Sequence, residues 1–175
     1  MTLVSTVTVG AGGAASINFS SIPQTATDLL ILFGLRCEGN DFNFYLRLNG
    51  DSGTNYSERR LRGTGAAVAS LNTSATNQII SQSMTPSTYT ASTFSNGSIY
   101  IPNYAGSAQK TVSLDSVVEN NATDSYQTIQ AGLWSSTAAV TSVNLTLNGF
   151  FGNFAQYSTA SLYTITKGSG GATVS

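Results

Sequence analysis

Apolar side chains in this chain recur at every second position, and no window repeats them at i, i+3, i+4 and i+7 over two turns. Alternation at period two puts one set of side chains on one face of an extended strand, so the chain has to bury sheet faces rather than helix stripes. Leu3, Ser5, Val7 and Val9 alternate with Val4, Thr6 and Thr8, and SINF at 16–19 reads as a second strand. Phe42, Phe44, Leu46 and Leu48 alternate with Asn43, Tyr45, Arg47 and Asn49 and stop at the turn NGDSG. Val112, Leu114, Ser116 and Val118 alternate further on, and 129–134, 143–147 and 158–165 complete the series. Asp28–Cys37 is apolar on both faces, as a central strand held between two layers would be. Tyr56–Arg62, the most charged segment, is expected to be solvated on at least one face. Strands at this spacing, separated by Gly, Asn and Ser turns, predict an all-β, jelly-roll-like antiparallel β-sandwich of about 8–10 strands with little or no helix. The 175 residues fit one domain, 1–166, followed by a flexible tail, 167–175, of sequence KGSGGATVS.

Two segments stand apart. SIYIPNYAG at 98–106 begins as a strand and then places Pro102 where the next ladder donor belongs. Proline is confined to an edge, a bulge or the point where a strand leaves its sheet. With Tyr100 and Tyr104 beside it, the segment is expected to be an edge ending in an aromatic contact surface, and Tyr100, Pro102 and Tyr104 are candidate interface residues. Residues 63–97 show no clear alternation, which is long for a loop in a compact domain. Ile79, Ile80, Met84, Tyr89 and Phe94 give them apolar anchors, so they are expected to form an ordered excursion packed on the sandwich or on a neighbouring subunit.

Charge narrows the function classes. Charged residues make up 9% of the chain, against roughly 25% in ordinary domains, and 1–27, 63–109 and 125–166 carry none. A net charge of −1 gives no electrostatic footprint for nucleic acid or an anionic membrane. Either Ser, Thr and Asn keep such a surface solvated, or much of it is covered in an assembly. Arg59, Arg60 and Arg62 form the one basic cluster: they either grip a phosphate or carboxylate of a partner or balance Glu58, Asp51 and Asp41 on a charged strand.

Reaction chemistry is poorly provided for. The chain has no histidine, which removes Ser-His-Asp and Cys-His catalysis and imidazole metal sites. Asp115 and Glu119 share a strand face, but four residues of strand set them about 13 Å apart, too far for paired carboxylate work. VGAGGA at 9–14 follows a strand but precedes another strand instead of a helix, so it reads as a hairpin turn and not a dinucleotide loop. NGDSGTN at 49–55 offers a single acid and lacks calcium-loop spacing. The lone cysteine, Cys37, excludes a disulfide framework and ends an apolar run, where it should be core; Trp134 is likewise expected in the core. No cofactor, metal or catalytic residue is implied.

The stretches SINFSSIPQTATDLLILFGLR, LRLNGDSGTNYSERRLRGTG, IPNYAG, DSVVENNAT, AGLWSSTAAVTSVNLTL and GNFAQYSTASLYTI together resemble a widespread family of virion structural proteins of tailed phages, common in aquatic phages including those of cyanobacteria. The likeness runs in unbroken order over roughly residues 3–166. It implies a jelly-roll-like sandwich displayed on a capsid or tail, without enzymatic activity, and transfers no binding residues. The expectation is a capsid decoration protein, of cement or head-fibre type, that partners itself, as a homotrimer, and the phage shell. The alternative is a tail fibre tip or baseplate adhesin binding host surface glycan through Tyr, Trp and Asn side chains. A depolymerase, the third class, is opposed by the missing histidine and the spacing of the acids.

Overall fold

The structure, a computed structural model, describes residues 1–121 and 125–167. Residues 168–175, most of the expected tail, lie outside the described residues. The strands are β1 (Thr2–Thr8), β2 (Ser16–Phe19), β3 (Asp28–Gly34), β4 (Asn43–Leu48), β5 (Tyr56–Gly63), β6 (Val68–Thr76), β7 (Ile79–Gln82), β8 (Asn96–Ile101), β9 (Lys110–Val118), β10 (Tyr126–Trp134), β11 (Val143–Thr146) and β12 (Thr159–Ile165). A 3-10 turn, Gly149–Phe151, precedes β12.

All named pairings are antiparallel, and four of them define the topology: β1 with β12, β2 with β11, β3 with β8 and β4 with β7. This is what results when one long antiparallel ribbon is rolled up. Its two layers, β1-β12-β3-β8 and β2-β11-β4-β7, are the two sheets of a jelly roll. Two hairpins are inserted, β5–β6 between β4 and β7, and β9–β10 between β8 and β11. β9 pairs with β8, β10 with β9 and β5 with β10, so the first layer grows to eight strands, β1-β12-β3-β8-β9-β10-β5-β6.

The core lies between the layers and follows the alternation. Ile17, Leu29, Ile31, Phe44, Leu46, Leu48, Ile99, Ile101, Leu145 and Leu162 are buried completely, each from the inward set of its strand. Burying a side chain of this size contributes about 1.5–3 kcal/mol. Cys37 and Trp134 are buried with them, as their apolar surroundings required. The Trp134 indole N–H donates to Asp51 Oδ2 at 2.6 Å, and its ring stacks on Tyr56 at 6.4 Å. Burial pushes the Tyr56 hydroxyl up to about 12.

Four expectations change. The count of strands is twelve among the described residues, because 63–97 contains β6 and β7; β6 is exposed on both faces and so never alternates. VGAGGA is no hairpin: β1 and β2 belong to different sheets, and the turn carries the chain between layers. β8 is no edge, since β3 and β9 flank it. β3 is covered on one face only, and Leu32 on the other is 41% exposed. The NGDSG turn does end β4. Asn49 and Gly50, both at positive φ (54° and 66°), close a tight turn in which Asp51 N donates to the Leu48 carbonyl at 3.0 Å.

The inserted strands place polar groups inside. Glu58, Arg60, Ser116, Thr128 and Gln130 are buried on the inner face of β5, β9 and β10. They satisfy the free edge of β7. Glu58 Oε2 accepts from Ile80 N at 2.7 Å and from Gln130 Nε2 at 2.7 Å, and Glu58 Oε1 accepts from the Thr73 hydroxyl at 2.9 Å. The Ile80 carbonyl accepts from Gln130 Nε2 and Arg60 Nη1, and those of Gln82 and Met84 accept from the Thr128 and Tyr126 hydroxyls. An edge strand buried between layers has to have its ladder groups paired, and here side chains of the opposite sheet pair them.

Candidate functional site

The SIYIPNYAG segment is an internal latch. Pro102 is the first residue past β8, where the strand leaves its sheet. Tyr100 donates to Asp28 Oδ2 at 2.7 Å, and Asn103 N donates to Asp28 Oδ1 at 3.0 Å. Lys167 pairs with the same carboxylate at 3.3 Å. Burial works to raise the Asp28 pKa, but the Asn103 amide, the Tyr100 hydroxyl and Lys167 outweigh it and hold the carboxyl below its ordinary value. Tyr104, expected on a contact surface, is fully buried; its hydroxyl donates to the Pro23 carbonyl. Tyr100 and Asn103 tie the end of β8 to Asp28 at the start of β3, and Tyr104 ties it to Pro23 and Thr27 just before, so Tyr104 cannot present its ring to a partner.

The three arginines are separated. Arg60 points into the sandwich and is buried, which lowers its pKa. Arg62 lies over the Tyr126 ring at 5.3 Å and donates to Gln82 Oε1 at 3.2 Å. Arg59 is on the opposite, exposed face, where its Nη1 donates to the Glu58 carbonyl at 2.7 Å. No common anion is within reach of all three, because adjacent strand positions face opposite ways. The solvated face expected of β5 is the one carrying Arg59 and Leu61.

A different arginine, Arg36, was not singled out from sequence. Its guanidinium donates to the carbonyls of Ser87, Tyr89, Thr90 and Thr93 at 2.8–3.2 Å. The segment 83–95, which has no regular strand, is wound around this one cation. The available signal was a lone charge at the end of LLILFGLRC.

Two surfaces remain open. One is the outer face of the eight-stranded sheet. A single row crosses every strand: Thr6, Ser161, Leu32, Ser98, Asp115, Ile129, Leu61 and Ser70 lie opposite one another in turn. Its neighbour row carries Val117, Gln127, Gly63 and Val68. Leu32, Val117, Ile129, Leu61 and Val68 are 38–72% exposed there.

The second surface is one end of the roll. The loops 9–14, 35–42, 83–95 and 147–158 meet there, joined by Ala14–Phe154, Cys37–Phe154 and Arg36–Thr85 bridges. Phe150 projects from it at 88% exposure. A cleft of about 400 Å³ at the same end is lined by Phe42, Tyr89, Tyr126, Arg62, Thr64 and Ser125 among others. The Phe42 ring meets Tyr89 and Tyr126 edge-on at 5.6 and 6.0 Å.

The acids considered for catalysis have separate tasks. Asp115 accepts from the Ser98 hydroxyl on the outer face, while Glu119 lies beyond β9 and accepts from the Asn120 and Asn121 amides. The Asp51 carboxylate, the candidate calcium ligand, is occupied by Trp134, Asn55 and the Gly53 amide. Among the described residues, no three Cys, Asp or Glu side chains gather as a metal site. Among the same residues, no helix is long and apolar enough to cross a membrane.

No protein family, curated protein or solved structure matches this chain.

Proposed function

We propose that this chain is a non-enzymatic structural protein of a phage particle, a capsid decoration protein of the cement or head-fibre kind that sits on the virion surface. One observation carries the reading: the outer face of the eight-stranded sheet is left uncovered although it exposes Leu32, Leu61, Val68, Val117 and Ile129. Asp115 alone brings charge to the two rows that contain them, and Arg59 lies in the next row, beside Ala131. Leu61, Val68 and Ile129 lie together, with Leu32 set apart beyond Ser98 and Asp115, and a nearly uncharged surface with such an apolar patch marks an interaction site. β3 sharpens the point, because its sequence is that of a strand covered on both faces and the chain supplies one cover.

The test is reconstitution. Purified chain is mixed with shells lacking it and sedimented with them, alongside Leu32→Glu/Ile129→Glu. Co-sedimentation of the native chain, lost in the double variant, supports the role; no affinity of the native chain for shells defeats it.

A second reading, a tail adhesin for host glycan, has its own support in the aromatic cleft. Phe42 and Tyr89 offer ring surface to a sugar above the buried Tyr126, and Arg62, Thr64 and Ser125 offer hydrogen bonds to its hydroxyls, in a volume suited to one or two saccharide units. Binding of the chain to host cells, competed by their surface polysaccharide and abolished in Tyr89→Ala, would favour it.

A further inference from the structure

The two sheets have four edges, and three of them are blunted. β7 has its outer ladder groups paired by Glu58, Gln130, Arg60 and Thr128. β2 is four residues long. β1 carries a bulge between Leu3 and Ser5, after which only Ser5, Thr6, Val7 and Thr8 remain in register. Short strands, bulges and covered edges are the means by which sheets avoid joining.

β6 has none of these protections. It is nine residues long, ends the eight-stranded sheet, and is exposed from Val68 to Ala75 on both faces. Its pairing with β5 is unbroken from Val68 to Ser74, with a bulge only at Ala75. It holds no proline and no charge, and the nearest cation on its flank, Arg59, is turned back onto the Glu58 and Thr73 carbonyls. One long row of ladder donors and acceptors is therefore open, beside Val68 at 72% and Leu71 at 48% exposure.

We infer that β6 is a strand-pairing edge whose occupant is β6 of a second copy, antiparallel about a two-fold axis normal to the sheet. This rests on the assembly reading above and names its contact. Head-to-tail addition would need a second open edge on the same chain, and β1, β2 and β7 do not offer one; only an isologous pairing closes. Self-pairing brings no like charges together, because β6 has none. Centring the pair on the unbroken run sets Leu71 against its symmetry mate, with Val68 opposite Ser74 and Ser70 opposite Asn72. The product is a dimer whose two eight-stranded sheets are continuous, and it differs from the trimer expected of a decoration protein.

Leu71→Cys tests the geometry. Opposed strand residues have Cα atoms about 4.5–5.5 Å apart, within the range a disulfide spans. The one native cysteine, Cys37, is fully buried. Under mild oxidation Leu71→Cys should form a covalent dimer, whereas Ser113→Cys, exposed on β9, should not. Sedimentation equilibrium of the unmodified chain should show a monomer–dimer equilibrium. Ser70→Lys/Asn72→Lys should weaken it about ten-fold or more, since like charges then face one another across the pair. The charge-matched Thr111→Lys/Ser113→Lys should leave it unchanged, and circular dichroism should show all variants folded. A native chain that stays monomeric, a trimer indifferent to the β6 lysines, or equal cross-linking at positions 71 and 113 overturns the inference. Shell binding by a strictly monomeric chain would overturn it while leaving the virion role standing.

Discussion

Replacing Glu58 tests whether side chains of one sheet hold the edge of the other. Glu58 is 5% exposed and accepts three hydrogen bonds, from Ile80 N, Gln130 Nε2 and the Thr73 hydroxyl. In Glu58→Ala the Thr73 hydroxyl, at the rim, can turn to water. The Ile80 amide and one Gln130 N–H are left inside without an acceptor. Each such group costs about 1–3 kcal/mol, and Arg60 loses its nearby counter-charge, so a loss of about 3 kcal/mol or more is expected. In Glu58→Gln the carbonyl oxygen can take the place of Oε2 and serve both buried donors, while the new amide donates to Thr73. The cost should then stay within about 1 kcal/mol. Urea unfolding followed by the fluorescence of the single tryptophan separates the two, with m unchanged. In a chain of this length about 3 kcal/mol corresponds to a melting-temperature drop of about 6–12 °C. Hydrogen exchange at the Ile80 amide should accelerate in Glu58→Ala alone. The reasoning is refuted if Glu58→Ala unfolds within about 1 kcal/mol of the native chain, or if Glu58→Gln is as damaging as Glu58→Ala.

Three further outcomes are expected. The carboxyl of Asp28 is held below its ordinary value, so its contribution is complete above about pH 4 and disappears as pH falls through the lowered folded value; Asp28→Asn should lower stability near neutrality and flatten the acid limb of the stability curve. Asp51 is also held low, chiefly by the Trp134 indole N–H, so the fluorescence of Trp134 should change with a midpoint below the ordinary aspartate value of about 3.9, and Asp51→Asn should abolish that transition. Arg36→Ala should free the segment 83–95, seen as faster chymotryptic cutting at Tyr89 and Phe94, with Arg36→Lys only partly protective because one ammonium cannot serve four carbonyls.

The amino-acid sequence by itself determined that this chain is all-β, and it located most strands and much of the core. Alternation is a property of neighbours in the chain, and Phe44, Leu46, Leu48, Val112 and Leu114 are inward because each sits two residues from the next. β6 escaped that reading because both of its faces are wet, and a strand without a buried face has no alternation to display. Tertiary structure alone decided the rest. Glu58 and Arg60 read as members of a charged strand solvated on at least one face, and they are on the inward one because β7 is stacked above them and its unpaired edge supplies the partners that make their burial tolerable. Tyr104 read as a contact and became core because Asp28 and Pro23 draw the end of β8 inward. Which edges are closed and which is open follows from how the ribbon rolls, and hydrogen bonds between strands far apart in sequence leave no local trace.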